Sequence, residues 1–219
     1  MIFGPDSFAS QLETSKLFAR NMMEKYNIPQ PAFFDCTSEE EILSVKGKLG
    51  LPLVLKADGL AAGKGVIVCN DKFEAFAAID KILIDKAFGT AGSKIIVEER
   101  IDGIEASYIA LCDGNIGIPM ATSQDHKRIF DDDKGPNTGG MGAYSPTPVV
   151  DNELAKKIQE EIIDKTMSSL KKEGIDFKGF LYAGVMIHDN IPYVLEYNVR
   201  MGDPECQPIL MRFNSDLLE

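Results

Sequence analysis

Lys56-Ala57-Asp58-Gly59-Leu60-Ala61-Ala62-Gly63-Lys64-Gly65-Val66 places one lysine at the end of an apolar run and a second between glycines just before the next. Leu53-Val54-Leu55-Lys56 and Val66–Cys69, on either side, read as strands. Small residues let backbone N–H groups approach an anion closely, and the two lysines add point charges. The stretch is not a Walker A loop: Gly59 to Gly63 is one residue short, Gly65 follows Lys64, and a strand comes next instead of a helix. Nor is it a dinucleotide fingerprint, since no third glycine follows Gly63-Lys64-Gly65 in place. It predicts a phosphate-covering loop, with a glycine-rich hairpin and solvated lysines as the competing reading. As a cover, Ala61–Gly65 is expected to be mobile without nucleotide.

Toward the N-terminus, Phe8, Leu12, Phe18, Met22 and Tyr26 recur at helical spacing until Asn27 and Pro29 stop them. Ala32–Cys36 is a short strand. Thr37-Ser38 with Glu40-Glu41 makes a capping box ahead of Ile42, Val45 and Leu49, ending at Gly50. Toward the C-terminus, Asp71 with Glu74 starts a helix reaching about Phe88. Ile95–Val97, Ala106–Cys112 and Asn115–Ala121 read as strands, the last two joined by Asp113-Gly114. Residues 123–148 are polar and glycine-rich, too long for an ordinary connection, and such loops are usually functional or disordered. Asp151–Gly174 is an amphipathic helix with Leu154, Ile158, Ile162, Met167 and Leu170 inward and Glu153/Lys157 and Glu161/Lys165 paired at i,i+4. Phe180–His188 and Pro192–Asn198 form a hairpin around Asp189-Asn190, followed by the polar loop Arg200–Pro208 and a last helix near Ile209. Strands and helices mix without strict alternation, which argues an α+β fold.

Three further segments carry chemistry. On a strand, Glu196, Asn198 and Arg200 project to one side, giving a carboxylate, an amide oxygen and a guanidinium. Two hard oxygen donors beside a fixed cation suit Mg²⁺ shared with phosphate, and an exposed strand face is the alternative. Gln124-Asp125-His126-Lys127-Arg128 and Asn137-Thr138-Gly139-Gly140-Met141-Gly142 offer cations, amides and bare backbone to a phosphorylated, polyhydroxylated ligand, or else form a lid without ligand contacts. Asp131-Asp132-Asp133-Lys134-Gly135 fails as a calcium loop, because Gly142 stands where the twelfth-position Glu is needed.

Composition excludes several classes. In 219 residues, 23 Lys and Arg against 34 Asp and Glu leave a net charge of −11, the opposite of what a non-specific nucleic-acid binder or an anionic membrane surface calls for. A local cluster of cations can still bind an anionic small substrate. Cys36, Cys69, Cys112 and Cys206 are far apart, with only His126 and His188 to complete a zinc site. That argues against structural zinc or a disulfide framework and fits a reducing cytoplasm. No apolar run approaches membrane-spanning length, and Met1–Pro5 lacks the features of a signal peptide.

Taken together, Pro52–Val68, Ser123–Pro148, Gly179–Ile187 and Arg200–Gln207 resemble, in order, segments of the ATP-grasp portion of the phosphoribosylamine–glycine ligase (glycinamide ribonucleotide synthetase) family. The Arg-x-Gly-Asp-Pro-Glu-x-Gln run at 200–207 is close to that family's signature, with Met201 in place of Phe or Leu. The resemblance implies two α+β lobes, a smaller one over about residues 17–97 and a larger one over the rest, with ATP in the cleft and a hinge near Glu98–Ile101. It implies a reaction in which ATP, glycine and 5-phosphoribosylamine give glycinamide ribonucleotide, ADP and phosphate through a glycyl phosphate, in purine biosynthesis. By analogy Lys56 holds the α-phosphate, and Gly63, Lys64 and Gly65 cover the β- and γ-phosphates, Lys64 with a catalytic role. Glu98, Glu99 and Ile101 belong to the hinge that reads adenine, and Glu105 is the ribose carboxylate. Glu196 and Asn198 are the Mg²⁺ (or Mn²⁺) ligands, and Arg200 binds the glycine carboxylate or stabilises the acyl phosphate. Asp125, His126, Lys127, Arg128, Asn137, Thr138, Gly139, Gly140, Met141, Gly202, Asp203 and Pro204 line the substrate side.

Gly184 stands about where many ATP-grasp enzymes carry a further acidic metal ligand. The family's full enzyme extends on both sides of this region. The resemblance therefore implies a piece of a larger ligase, catalytically incomplete without its N- and C-terminal segments. A nucleotide-binding module without chemistry, and an ATP-grasp ligase for another carboxylate and amine, remain the alternatives. Neither nucleic acid nor membrane is an expected partner.

Overall fold

The computed structural model describes residues 3–59, 65–131 and 134–217. The chain divides into two compact units, one of residues 11–25 and 30–102, the other of residues 1–10, 26–29 and 103–219.

In the first unit, helices α1 (Gln11–Thr14) and α2 (Lys16–Lys25) precede strand β1 (Phe33–Cys36), helix α3 (Glu39–Leu49), strands β2 (Leu53–Ala57) and β3 (Val66–Cys69), helix α4 (Lys72–Ile79) and strand β4 (Ile95–Glu99). The strands form one antiparallel sheet in the order β1-β4-β2-β3. Leu53, Leu55, Ala57, Ile95 and Val97 bury one face under Ile42 and Val45 of α3 and Ala75, Ala78 and Ile79 of α4. Strand alternation sends Lys56, Ile96 and Glu98 to the other face. Local signals act as read: the Glu41 carboxylate accepts from Thr37 N, and Asp71 caps α4 by accepting from Phe73 N and Glu74 N. Two boundaries differ. The first helix starts at Gln11, because Asp6 folds the preceding residues into a turn by accepting from Phe8 N and Ala9 N. The helix from Asp71 gives way after Ile79 to a wide turn, Asp80–Ile84, closed by Asp85 N on Asp80 O at 2.9 Å.

In the second unit, β5 (Ile104–Asp113), β6 (Gly117–Pro119), β11 (Lys178–His188) and β12 (Ile191–Asn198) form an antiparallel sheet in the order β12-β11-β5-β6. The hairpin turn falls on Asp189 and Asn190, both at positive φ. Residues 123–148 are not one structureless loop. They contain two ribbons, β7 (Gln124–Asp125) with β10 (Ala143–Tyr144) and β8 (Arg128–Phe130) with β9 (Lys134–Asn137).

Helices α5 (Asn152–Ile158) and α6 (Asp164–Lys172) are joined by a wide turn, Gln159–Ile163, and bury Leu154, Ile158, Ile162, Met167 and Leu170 as the periodicity requires. The expected Glu153/Lys157 and Glu161/Lys165 pairs do not form. Lys157 instead donates to Asn190 O at 3.2 Å and Lys165 to Asn27 O at 3.0 Å, where turn carbonyls lie within reach of the long side chains. Helix α7 (Cys206–Leu210) follows the 200–205 loop. No helix among the described residues is long and apolar enough to cross a membrane.

Candidate active site

The first unit contributes a buried charge cluster. Glu98, 1% exposed, accepts from Arg20 Nε at 2.7 Å and from Lys56 Nζ at 2.8 Å, with Arg20 itself 2% and Lys56 5% exposed. Burial alone would raise the Glu98 pKa, but Lys56 and then Arg20 outweigh it and hold the carboxyl below its ordinary value. Two cations thus share the Glu98 carboxylate. Lys56 sits at the mouth of the glycine loop, whose base is closed by Ala57 N on Gly65 O at 2.9 Å and Asp58 N on Lys94 O at 3.1 Å. Lys16 ties down the loop's first residues by donating to Ala57 O and Gly59 O. Gly63 and Lys64, and with them the expected mobile segment apart from Gly65, lie outside the described residues.

The Glu98 side chain is thus committed to ion pairs, and its backbone lies inside the sheet opposite Val54 and Phe33. The Glu99 amide donates to Ala32 O at 3.0 Å, while the Glu99 carboxylate takes Ala32 N at 2.8 Å. Ile101 lies beyond the end of β4.

The second unit builds a polar sheet face. The register Ser123–Ser107, Ser107–Gly184 and Gly184–Glu196 lines these residues across neighbouring strands, and Tyr182 lies opposite Asn198. A β-bulge makes this possible. Gly184 pairs with Glu196 but Val185 pairs with Val194, so Leu195 is the extra residue. Without it, Val194 and Glu196 would share a face by strand alternation. With it, Val194 stays in the core while Glu196 and Asn198 turn to the polar side. Asn198 Oδ1 accepts from Arg200 Nη2 at 3.4 Å, which joins two of the three residues of the expected metal and substrate strand.

Glu105 is ion-paired with Lys127. Burial disfavours the Lys127 ammonium, but Glu105, Tyr182 and Glu196 more than compensate and its pKa is raised. Met141 N donates to His126 O and Thr138 N to Lys127 O, so the two glycine- and cation-rich segments are joined. Gly140, at φ +126, packs so closely that a Cβ there would lie 2.6 Å from Pro204 Cδ, which brings the 200–205 loop alongside. Arg128 is exposed and donates to Gly135 O at 3.0 Å; Met141 and Asp203 are exposed, Gly202 is buried, and Gly139 is exposed. The side chain of Asn137, and Asp132 and Asp133, lie outside the described residues.

One residue of this site escapes sequence reasoning. Glu205, 2% exposed, accepts from Ser107 Oγ at 3.0 Å and Tyr182 OH at 2.9 Å. Glu205 lies inside the 200–207 run, in which only Arg200, Gly202, Asp203 and Pro204 are expected at the site. Asp125 has an elevated pKa of about 6, caused by burial and then by Glu205, with Lys127 opposing.

A family model described as the phosphoribosylglycinamide synthetase ATP-grasp (A) domain matches residues 14–206. The chain belongs to that ATP-grasp family. It is 53% identical to the phosphoribosylamine–glycine ligase of Vibrio cholerae, covering 100% of this chain and 51% of that protein, and 52% identical to that of Neisseria meningitidis, covering 99% and 51%. The chain thus spans about half the length of the curated relatives it matches. The crystal structure of the Thermotoga maritima ligase superimposes with a TM-score of 0.87 at 38% identity, over 95% of this chain and 53% of that one. D-Alanine–D-alanine ligase of Bacillus anthracis, at 19% identity and a TM-score of 0.69, shares the fold.

Within this ATP-grasp domain, the described residues hold no group of three or more His, Cys, Asp or Glu arranged for a metal. Glu196 and Asn198 nevertheless fit Mg²⁺, which is commonly held by one or two protein oxygens with phosphates and water completing the shell. Gly184 lies opposite Glu196 and adds no carboxylate.

Proposed function

We propose that the chain is the nucleotide-binding and ligating part of a phosphoribosylamine–glycine ligase. The reaction couples glycine to 5-phosphoribosylamine at the expense of ATP, in purine biosynthesis in the cytoplasm. The observation that carries this reading is the polar face of the β12-β11-β5-β6 sheet. Glu105, Lys127, Glu196 and Asn198 meet there with the Arg200–Glu205 loop, on a chain whose family is established.

In the proposed chemistry, a glycine carboxylate oxygen attacks the γ-phosphorus and ADP leaves. The amine nitrogen of phosphoribosylamine then attacks the acyl carbon of glycyl phosphate, phosphate leaves, and the nitrogen loses a proton. Both partners of the first step are anionic, so the protein's task is to neutralise repulsion and hold the groups in line. Lys56, with Lys64 and the amides of Gly63 and Gly65, serves the phosphates. Glu99 and Ile101 read adenine through the backbone, and Glu105 takes the ribose once Lys127 turns away from it. Glu196 and Asn198 hold the divalent ion, which when bound neutralises phosphate charge. Arg200 presents a bidentate fork to the glycine carboxylate or to the acyl phosphate formed from it. Asp125, His126, Lys127, Arg128, Thr138, Gly140 and Gly202 to Pro204 face the substrates.

Calorimetric titration with Mg-ATP, followed by phosphate release with glycine and freshly made phosphoribosylamine, tests the reading. Nucleotide binding with Mg²⁺ dependence supports it. No Mg-ATP binding at millimolar concentration refutes it.

A further inference from the structure

Arg20, buried on α2, is held from two sides. Its Nε donates to Glu98 Oε1 at 2.7 Å and its Nη1 to Gln30 Oε1 at 3.3 Å, while Gln30 Nε2 donates back to Arg20 O at 3.1 Å. The reciprocal pair with Gln30 fixes the main chain and side chain of Arg20 together. Helix α2 is itself pinned to the residues that follow Lys56. Asp58 Oδ1 accepts from Leu17 N at 3.1 Å and from Ser15 Oγ at 3.2 Å, and Lys16 donates to Ala57 O and Gly59 O. Lys16 and Arg20 stand at i and i+4, so one face of α2 meets both the base of the glycine loop and the Glu98 carboxylate.

The strand register makes Lys56 depend on this arrangement. Lys56 pairs with Ile96 and Glu98 with Val54, so the two side chains share a face on neighbouring strands but sit diagonally instead of opposite. The Lys56 ammonium meets Glu98 Oε2 at 2.8 Å, so its place follows the direction of the carboxylate, and Arg20 on Oε1 sets that direction. Charged groups buried together on a sheet face are a weak source of stability, since apolar residues of similar size often do as well or better. A lysine on a flexible four-carbon stem, by contrast, loses freedom when it grips an anion, and ordering it beforehand removes that cost from binding.

We propose that Arg20 is a positioning residue for Lys56, acting through Glu98. The proposal rests on the reading of Lys56 as a phosphate ligand of the nucleotide and adds to it a residue of another element. Arg20 touches no part of the nucleotide in this scheme. It aims the carboxylate, and the carboxylate holds the ammonium at the mouth of the glycine loop. With Arg20 gone, Glu98 turns both oxygens to Lys56 and draws the ammonium away from the phosphates. Base and ribose are served by other residues and keep their contacts.

The test is calorimetric titration of the 219-residue chain with Mg²⁺ and a non-hydrolysable ATP analogue, beside a parallel titration with adenosine, which keeps base and ribose and lacks the phosphates. Arg20→Met should weaken the analogue at least about tenfold and adenosine by less than about twofold. Arg20→Lys, which returns a cation to Glu98 without the planar fork, should bring the analogue back to within about threefold of wild type. Arg20→Gln, with a donor for Glu98 but no charge, replaces Arg20→Met if the latter does not fold, and a loss of at least about fivefold is expected. A residue that only stabilised the unit would lower the urea midpoint and leave both ligands alone, or weaken the two alike. Either result, or an Arg20→Lys variant no better than Arg20→Met, overturns the positioning role while wild-type nucleotide binding keeps the functional reading standing. Failure of the wild-type chain to bind the Mg-nucleotide overturns both.

Discussion

Replacing Glu98 by Gln removes the single negative charge that two buried cations share. Arg20 Nε and Lys56 Nζ lie 2.7 and 2.8 Å from its oxygens, and all three side chains are at most 6% exposed. Taking away one partner of a buried ion pair costs ~3–5 kcal/mol, because the remaining charge is left uncompensated in a poorly solvating site. Glu98 faces two cations, so a loss within that range is expected. With a urea dependence of ~2 kcal/mol per molar, a loss of ~4 kcal/mol moves the unfolding midpoint of this unit down by ~2 M.

Far-UV circular dichroism along a urea series at pH 7 measures the shift. The pH arm has a definite sign. Glu98 is held below its unfolded value of ~4.3, so its contribution is complete above that pH and is lost as pH falls through the lower folded value. The gap between wild type and Glu98→Gln should persist at pH 7 and 5 and narrow below about pH 4. A triple replacement, Arg20→Met, Lys56→Met and Glu98→Leu, removes all three charges and should recover much of the stability, although it abolishes the anion-attracting cluster. A Glu98→Gln loss under ~1 kcal/mol at pH 7, or a triple variant no more stable than the single, would refute the reasoning.

Three shorter predictions follow from the same geometry. Glu196→Gln keeps the side-chain shape and removes one charge from a hard-cation site, so nucleotide affinity should fall at least tenfold with Mg²⁺ and by less than twofold in EDTA. Burial raises the thiols of Cys36 and Cys69 to about 11 and that of Cys112 to about 12, while Cys206 is only partly buried. A disulfide reagent at pH 8 should therefore titrate one thiol quickly and the other three only in urea. Phosphate-coupled product formation by this chain should run at least a hundredfold below that of the full-length Vibrio cholerae relative, because an acyl phosphate open to water hydrolyses before the amine reaches it; comparable turnover would show a complete pocket in these residues.

The parts of the fold legible in the sequence are those set by local chemistry. The Asp71 cap, the Thr37–Glu41 box and the Asp189-Asn190 turn are short-range hydrogen-bond and backbone preferences, and each stands where its residues put it. The apolar stripe from Leu154 to Leu170 was readable for the same reason, although the wide turn at Gln159–Ile163 has no signature in residue type. What could not be read depends on partners distant in sequence. The bulge at Leu195 decides which face Glu196 takes, and it is a property of the pairing with Gly184 and Val185, not of residues 191–198. Arg20 lies on an ordinary amphipathic helix, and nothing local marks it as the counter-ion of a residue 78 positions away. Glu205 sits inside a quoted motif, yet its role emerges only from Ser107 and Tyr182 on two other strands.

Charge ties the two halves of the proposed chemistry together. A net charge of −11 looks hostile to a nucleotide, but the charges are sorted. The buried cluster in the first unit sets Arg20 and Lys56 against Glu98. The polar face of the second carries Glu105, Asp125, Glu196 and Glu205, with Lys127 paired to Glu105 and Arg200 donating to Asn198. In the proposed reading the divalent ion of a magnesium nucleotide complements this acidic face. On this account the Lys127–Glu105 pair holds a cation among those carboxylates until the ligand's own positive charges arrive. Lys127→Met should then weaken the folded second unit in the absence of ligand and lose most of that penalty in saturating Mg²⁺ and nucleotide. A penalty unchanged by ligand would mean that the lysine is a fixed structural partner of Glu105 and does not give way to the ribose.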